Sequence, residues 1–286
     1  MPSPRGDIAS TYKRFLFFEI DQHLFQVRWI LPIPIALFIS YIVTSRILVT
    51  SANSSLSSNV WDVLFSVFGN GNILFFVLNV VWIYLVSDLP IEAQFGQLVM
   101  FRLHSRKQWW FSKIFLLIVL VLFYLCINAA IVAIIASFVF PWQGRWSEAV
   151  LKSPLEFYLN PQATSLSPLF AFILLLILLI LGWFGLGLAT ICATRFFNHA
   201  MTGFLFGLLI DAGGLIALKA GIPPPLEYFF IHIHLLFNLH SFFEIFSPYP
   251  HIILSMLYWV IWIIVFLVIG IKICLPSDFF SKERNA

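Results

Sequence analysis

The chain is 286 residues long, 61% hydrophobic and only 10% charged, with a formal net charge of +3. A water-soluble domain of this length carries far more charge, so the composition excludes an ordinary globular fold and points to lipid as the medium. The apolar residues fall in long runs rather than in a 3.6- or 2.0-residue alternation, and runs of about 18 or more are what a bilayer-spanning helix requires.

Residues 1–28 set Arg5, Asp7, Lys13, Arg14, Glu19, Asp21 and Arg28 among Phe15, Phe18, Leu24 and Phe25. They lack the uninterrupted apolar core of a cleavable signal peptide, and the mixture suits a helix lying in the cytoplasmic interface. Residues 29–286 follow as one transmembrane domain. Its six apolar segments run from Trp29 to Ile47, Val60 to Val86, Ile114 to Phe140, Leu169 to Thr194, Ala200 to Leu218 and Ile252 to Leu275. Each approaches or exceeds the roughly 20 residues a crossing takes. The expected fold class is thus an all-α integral membrane protein with six spans.

Basic residues near helix ends are retained in the cytoplasm. With both termini inside, twelve of the sixteen Lys and Arg residues fall on the cytoplasmic side, and Arg46, Arg145, Lys152 and Lys219 lie outside or near the outer ends. The orientation follows from that bias, and the expected location is the bacterial cell membrane. A further stretch, Pro224 to Phe246, is apolar but carries Glu227, His232, His234, His240 and Glu244 between a Pro-Pro-Pro run and the Pro248/Pro250 pair. It reads as outer-leaflet half-helices between spans five and six, because the prolines break a continuous helix. Cys126, Cys192 and Cys274 sit in or beside apolar runs with no disulfide or zinc spacing, and act as small hydrophobes.

The most informative loop is residues 88–113, DLPIEAQFGQLVMFRLHSRKQWWFSK. It begins acidic at Asp88 and Glu92, continues through Gln94, Phe95 and Gly96 to Arg102, Ser105 and Arg106, and ends on Trp109, Trp110 and Lys113 at the mouth of span three. On composition it is either a solvated basic loop that fixes topology or a surface helix offered to a soluble partner. It resembles the coupling-helix region of the type-2 ABC exporter permeases. The resemblance extends to the interfacial N-terminal helix, the six spans, the tight link from Thr194 to His199 and the outer-leaflet pieces. The small outer loops depart from the large-domain members of that family.

The resemblance implies a permease subunit of an ATP-driven exporter, moving a hydrophobic or amphipathic substrate such as a lipid, peptide or drug-like molecule. It also implies a dimer with itself or a sister permease, and an ATPase partner that docks on residues 88–113. This chain has no Gly-rich phosphate cradle and no Gly-Lys pair, so it is not expected to be an enzyme or to hold a cofactor, and ATP and Mg belong to the partner. Membrane lipid is the other expected partner, and no nucleic acid is expected.

Two further groups bear on function. His232, His234, His240 and Glu244 read first as polar groups lining an outer vestibule or sitting at the headgroup level, with His240 and Glu244 as cavity candidates beside Asp211; they also include ordinary metal ligands, which leaves a membrane-embedded metal-dependent enzyme as an alternative. His232 and His234, two apart, would face nearly opposite ways on a helix, and the Glu-Glu pair of the prenyl endopeptidases is missing. Asp211, inside span five, could line a cavity, pair with Lys219 or contact substrate; an ionisable residue at membrane depth is costly. A secondary transporter, the remaining alternative, would be expected to show internal repeats, and none is visible. In GWFGLGL, Gly182, Gly185 and Gly187 suit close helix packing.

Overall fold

The computed structural model describes residues 4–91, 106–221, 226–243 and 250–274, the side chains of residues 4–13 and 218 excepted. Among the described residues the protein is all-helical, without a named strand. Five helices are long and apolar enough to cross a membrane, and a bent pair makes a sixth crossing if counted as one.

The first helix, α1 (Pro4–Leu24), precedes the spans. Span one is α2 (Pro32–Ser54), begun by prolines in its first turn, where a missing N–H costs nothing, and ended by Ser55 in the left-handed region. The segment expected as span two is not one rod. It comprises α3 (Val60–Phe68) and α4 (Gly71–Val86), which meet at 52° across Gly69 and Asn70. Asn59 starts α3 with a capping box, its side chain accepting from Trp61 N–H while Asp62 accepts from Asn59 N–H. Asn70 restarts the chain by accepting the N–H groups of Asn72 and Ile73. Within α4, Leu74–Leu78 forms a π-turn just before Asn79. The expected unbroken span two is thereby corrected: Asn70 offers an N-cap, and the Gly69 position, with Phe65 O only 2.8 Å from where a Cβ would sit, leaves no room for a side chain.

Span three, α5 (Arg106–Ser137), has no Gly or Pro and runs 32 residues, about 48 Å at the α-helical rise. A hydrocarbon core is about 30 Å thick, so α5 extends more than a turn beyond it. The helix starts eight residues before the apolar run does. Spans four and five are α7 (Pro168–Phe197) and α8 (Ala200–Ala220), and α6 is the short helix Glu148–Lys152. Only Asn198 and His199 join them. Asn198 takes the left-handed conformation (φ 51°) and His199 N–H returns to Thr194 O, a closure that Asn tolerates better than most side chains. Span six is α10 (Ile252–Cys274).

The α7 helix is central, packed by α4, α5, α8 and α10. Gly182 and Gly185 meet Trp259 of α10, and Gly187 meets Leu117 of α5 and Trp82 of α4, so the GWFGLGL run does serve close packing. Residues 226–243 hold only short pieces: Leu226–Phe229, α9 (Ile231–Leu235) and Phe237–Leu239. None is long enough to be a seventh span. They join the loop after α5 at one end of the bundle, where Asn160 Nδ2 donates to His240 O, Trp61 Nε1 to Gln143 O and Trp146 Nε1 to Leu166 O.

Candidate functional site

At the other end of the bundle four segments are tied by charge. Glu19 of α1 accepts from Lys113 Nζ of α5 at 2.5 Å, with both side chains 1% exposed. One turn on, His23 Nε2 lies 3.7 Å from the same Glu19 oxygen. Arg28, after α1, is ion-paired with Asp88 just past α4. Arg195, at the end of α7, stands 5.7 Å from the centre of the Trp109 ring, and Lys113 Nζ stands 5.8 Å from it, both within cation–π reach. The described chain is thus braced on both sides of the 92–105 segment, at Asp88 by Arg28 and at Lys113 in α5 by Glu19. Burial holds His23 neutral, its pKa pushed down to about 3, with the positive charges of Lys113 and Arg28 acting in the same direction.

The placement of the expected coupling residues is mixed. Asp88, Arg106, Trp109, Trp110 and Lys113 lie in this region, and Glu92, Arg102 and Ser105 fall outside the described residues, with Gln94, Phe95 and Gly96. Trp109 and Trp110 are 0% and 1% exposed. They are packed inward rather than presented on the surface: Trp110 lies against Gly270 of α10, so close that a Cβ there would come within 2.0 Å of its ring. Lys113 is buried with them, so none of these three side chains is exposed in this chain.

A second polar group lies deep in the bundle. Asn79 Nδ2 donates to Asp211 Oδ1 at 2.6 Å, and Asn79 Oδ1 accepts from Trp183 Nε1 at 2.8 Å. Trp82 Nε1 donates to Trp183 O, and Tyr124 O–H to Leu78 O. Asp211 is 3% exposed and its carboxyl accepts from Asn79. Lys219 instead sits over Phe76, 5.3 Å from the ring centre. The π-turn before Asn79 resets the phase of α4 and brings this side chain between α7 and α8; such turns recur at functional positions. Sequence reading missed Asn79, although it is the one amide in an apolar run from Ile73 to Val86.

The histidines do not converge. His232 Nε2 faces Glu227 at 3.2 Å, His234 is bonded to Ser255 Oγ and Tyr228 O, and His240 Nδ1 to Leu236 O. Glu244 lies outside the described residues. Among the described residues no group of three or more His, Cys, Asp or Glu side chains is placed to hold a metal ion.

What the geometry establishes is a multi-pass helical membrane protein with one braced, charged end and one buried amide–carboxyl network; comparison with family models, curated proteins and solved structures finds no match to this chain.

Proposed function

We propose that the protein is the membrane-spanning permease subunit of an ATP-driven ABC exporter, paired with a second permease and coupled to a separate ATPase through residues 88–113. The observation that carries this reading is the bracing around that segment. Glu19–Lys113 ties α1, and Arg28–Asp88 ties the turn that follows it, to the two flanks of residues 92–105. A push on that segment from a soluble subunit would be passed to α5, and through Trp110 against Gly270 to α10, as rigid-body motion rather than absorbed by a slack loop. Trp109 and Lys113 serve in this reading as the root of the lever, and the contact with the ATPase is left to Glu92, Arg102, Ser105 and Arg106.

The test is co-purification of the detergent-solubilised chain with candidate ATPase subunits encoded beside its gene. Wild type should retain one in stoichiometric amount, and Glu92→Ala with Arg106→Glu should lose it while keeping the wild-type thermal midpoint. An empty wild-type sample sinks the reading.

An ion-coupled carrier is the second reading, favoured by the buried Asp211 and its Asn79 partner. It requires solute uptake in ATPase-free proteoliposomes that responds to an imposed proton or sodium gradient and is lost in Asp211→Asn.

A further inference from the structure

At the end of the bundle that the charge bias places outside, a cleft of about 380 Å³, counting space open to the surroundings, lies between α2, α3 and the 3-10 turn Pro154–Phe157. Val43, Ile47 and Phe157 form apolar walls, and Arg46 and Glu156 bring one charge of each sign. Among the described residues these two are not ion-paired with each other, and neither has another ion-pair partner. Both are exposed.

Arg46 stands one residue before the end of the apolar segment Trp29–Ile47, and α2 turns polar beyond it from Thr50. That puts its guanidinium at the edge of the apolar layer, where a cation meets lipid phosphates. The same face of α2 continues away from the cleft through Ile42 and Phe38, at four-residue spacing, and these are 47% and 66% exposed. A cation therefore caps an uncovered apolar stripe, with a carboxylate beside it at the cleft. That order of groups is complementary to an amphiphile with an acyl chain, a phosphate and an amine in sequence.

We infer that this cleft binds the headgroup of a zwitterionic phospholipid, with Arg46 donating to the phosphate, Glu156 accepting from the amine, and an acyl chain lying along Ile42 and Phe38. The guanidinium fork matches two phosphate oxygens. Glu156 selects against headgroups without a cation. The site does not rest on ATP coupling: a chain that fails to retain an ATPase can still bind the lipid, and loss of lipid binding leaves the co-purification result untouched.

The experiment is native mass spectrometry of the purified full chain, exchanged into nanodiscs of equal phosphatidylethanolamine and phosphatidylglycerol, for wild type, Arg46→Leu and Glu156→Gln. Wild type should carry one phosphatidylethanolamine, preferred roughly fivefold over phosphatidylglycerol, the effect of one partly screened ion pair. Arg46→Leu should lose bound phospholipid of either kind, and Glu156→Gln should keep a phospholipid but lose the preference. Equal retention of lipid by wild type and Arg46→Leu overturns the assignment, as does an unchanged preference in Glu156→Gln; if Arg46→Leu does not fold, the Glu156→Gln result decides alone. Soluble phosphoethanolamine competing as strongly as the lipid would also overturn it, because the acyl stripe would then contribute nothing.

Discussion

Glu19 and Lys113, ninety-four residues apart in sequence, form an ion pair from which solvent is almost wholly excluded. The pair joins the helix before the first span to the base of the third. Two charges leave water only when each meets the other, and removing one partner strands a buried charge at a cost of about 3–5 kcal/mol. Lys113→Met should therefore sharply lower the thermal midpoint in detergent. The double variant Glu19→Met/Lys113→Met should recover most of the loss. A double variant no better than the single would mean that the pair is not the relevant contact.

His23 adds a pH dependence at the same place. Its pKa in the folded protein lies near 3, below the 6.5 of the free side chain, because burial and then Lys113 and Arg28 disfavour its proton. The unfolded chain binds that proton first, so the contribution is fully present above about pH 6.5 and is lost as pH falls toward 3. His23→Gln should flatten the fall in thermal midpoint between pH 6.5 and 4.5. A wild-type and a variant curve that run parallel would refute the assignment.

Asn79 satisfies two groups at once, the Asp211 carboxyl and the Trp183 indole N–H. Asn79→Leu removes both partners and should cost about 1–3 kcal/mol for each group left unsatisfied. Asp211→Asn keeps an acceptor facing Asn79 and should lie close to wild type. Tryptophan fluorescence during thermal unfolding separates the two.

Gly270 is where α10 meets Trp110. The Trp110 ring is buried against this position, so Gly270→Ala should destabilise by about 1–3 kcal/mol through overpacking. At Gly213, with nothing within 4 Å of a built Cβ, the same change should be neutral or slightly stabilising. Chemical denaturation of the two variants checks the contrast.

Crossing number is open to labelling. In a background with Cys126, Cys192 and Cys274 replaced by alanine, Lys107→Cys should react with an impermeant maleimide only from the cytoplasmic side. Lys152→Cys should react only from the outside. Labelling of both from one side would mean that α5 does not separate those two loops across the membrane.

The helical membrane class and the approximate place of the five long apolar helices were legible in the residues, because a bilayer imposes a length and an apolarity on any segment that spans it. The short pieces before span six were legible for the same reason, since prolines and ionisable groups break up a crossing. Other features depended on which helices are neighbours. Gly69 and Asn70 can break a helix, but the 52° bend exists because α3 packs against α2, α5 and the 3-10 turn Pro154–Phe157 while α4 turns to meet α7 and α8. Trp109, Trp110 and Lys113 read as an amphipathic surface until Glu19, Arg195 and Gly270 arrive from three distant segments to cover them. Asp211 reads as a pair for Lys219, eight residues away, until a π-turn delivers Asn79 from another span. Hydropathy is a property of the local chain and fixes which segments enter the bilayer; the pairing of polar groups inside it is a property of packed neighbours, decided only once the helices have assembled.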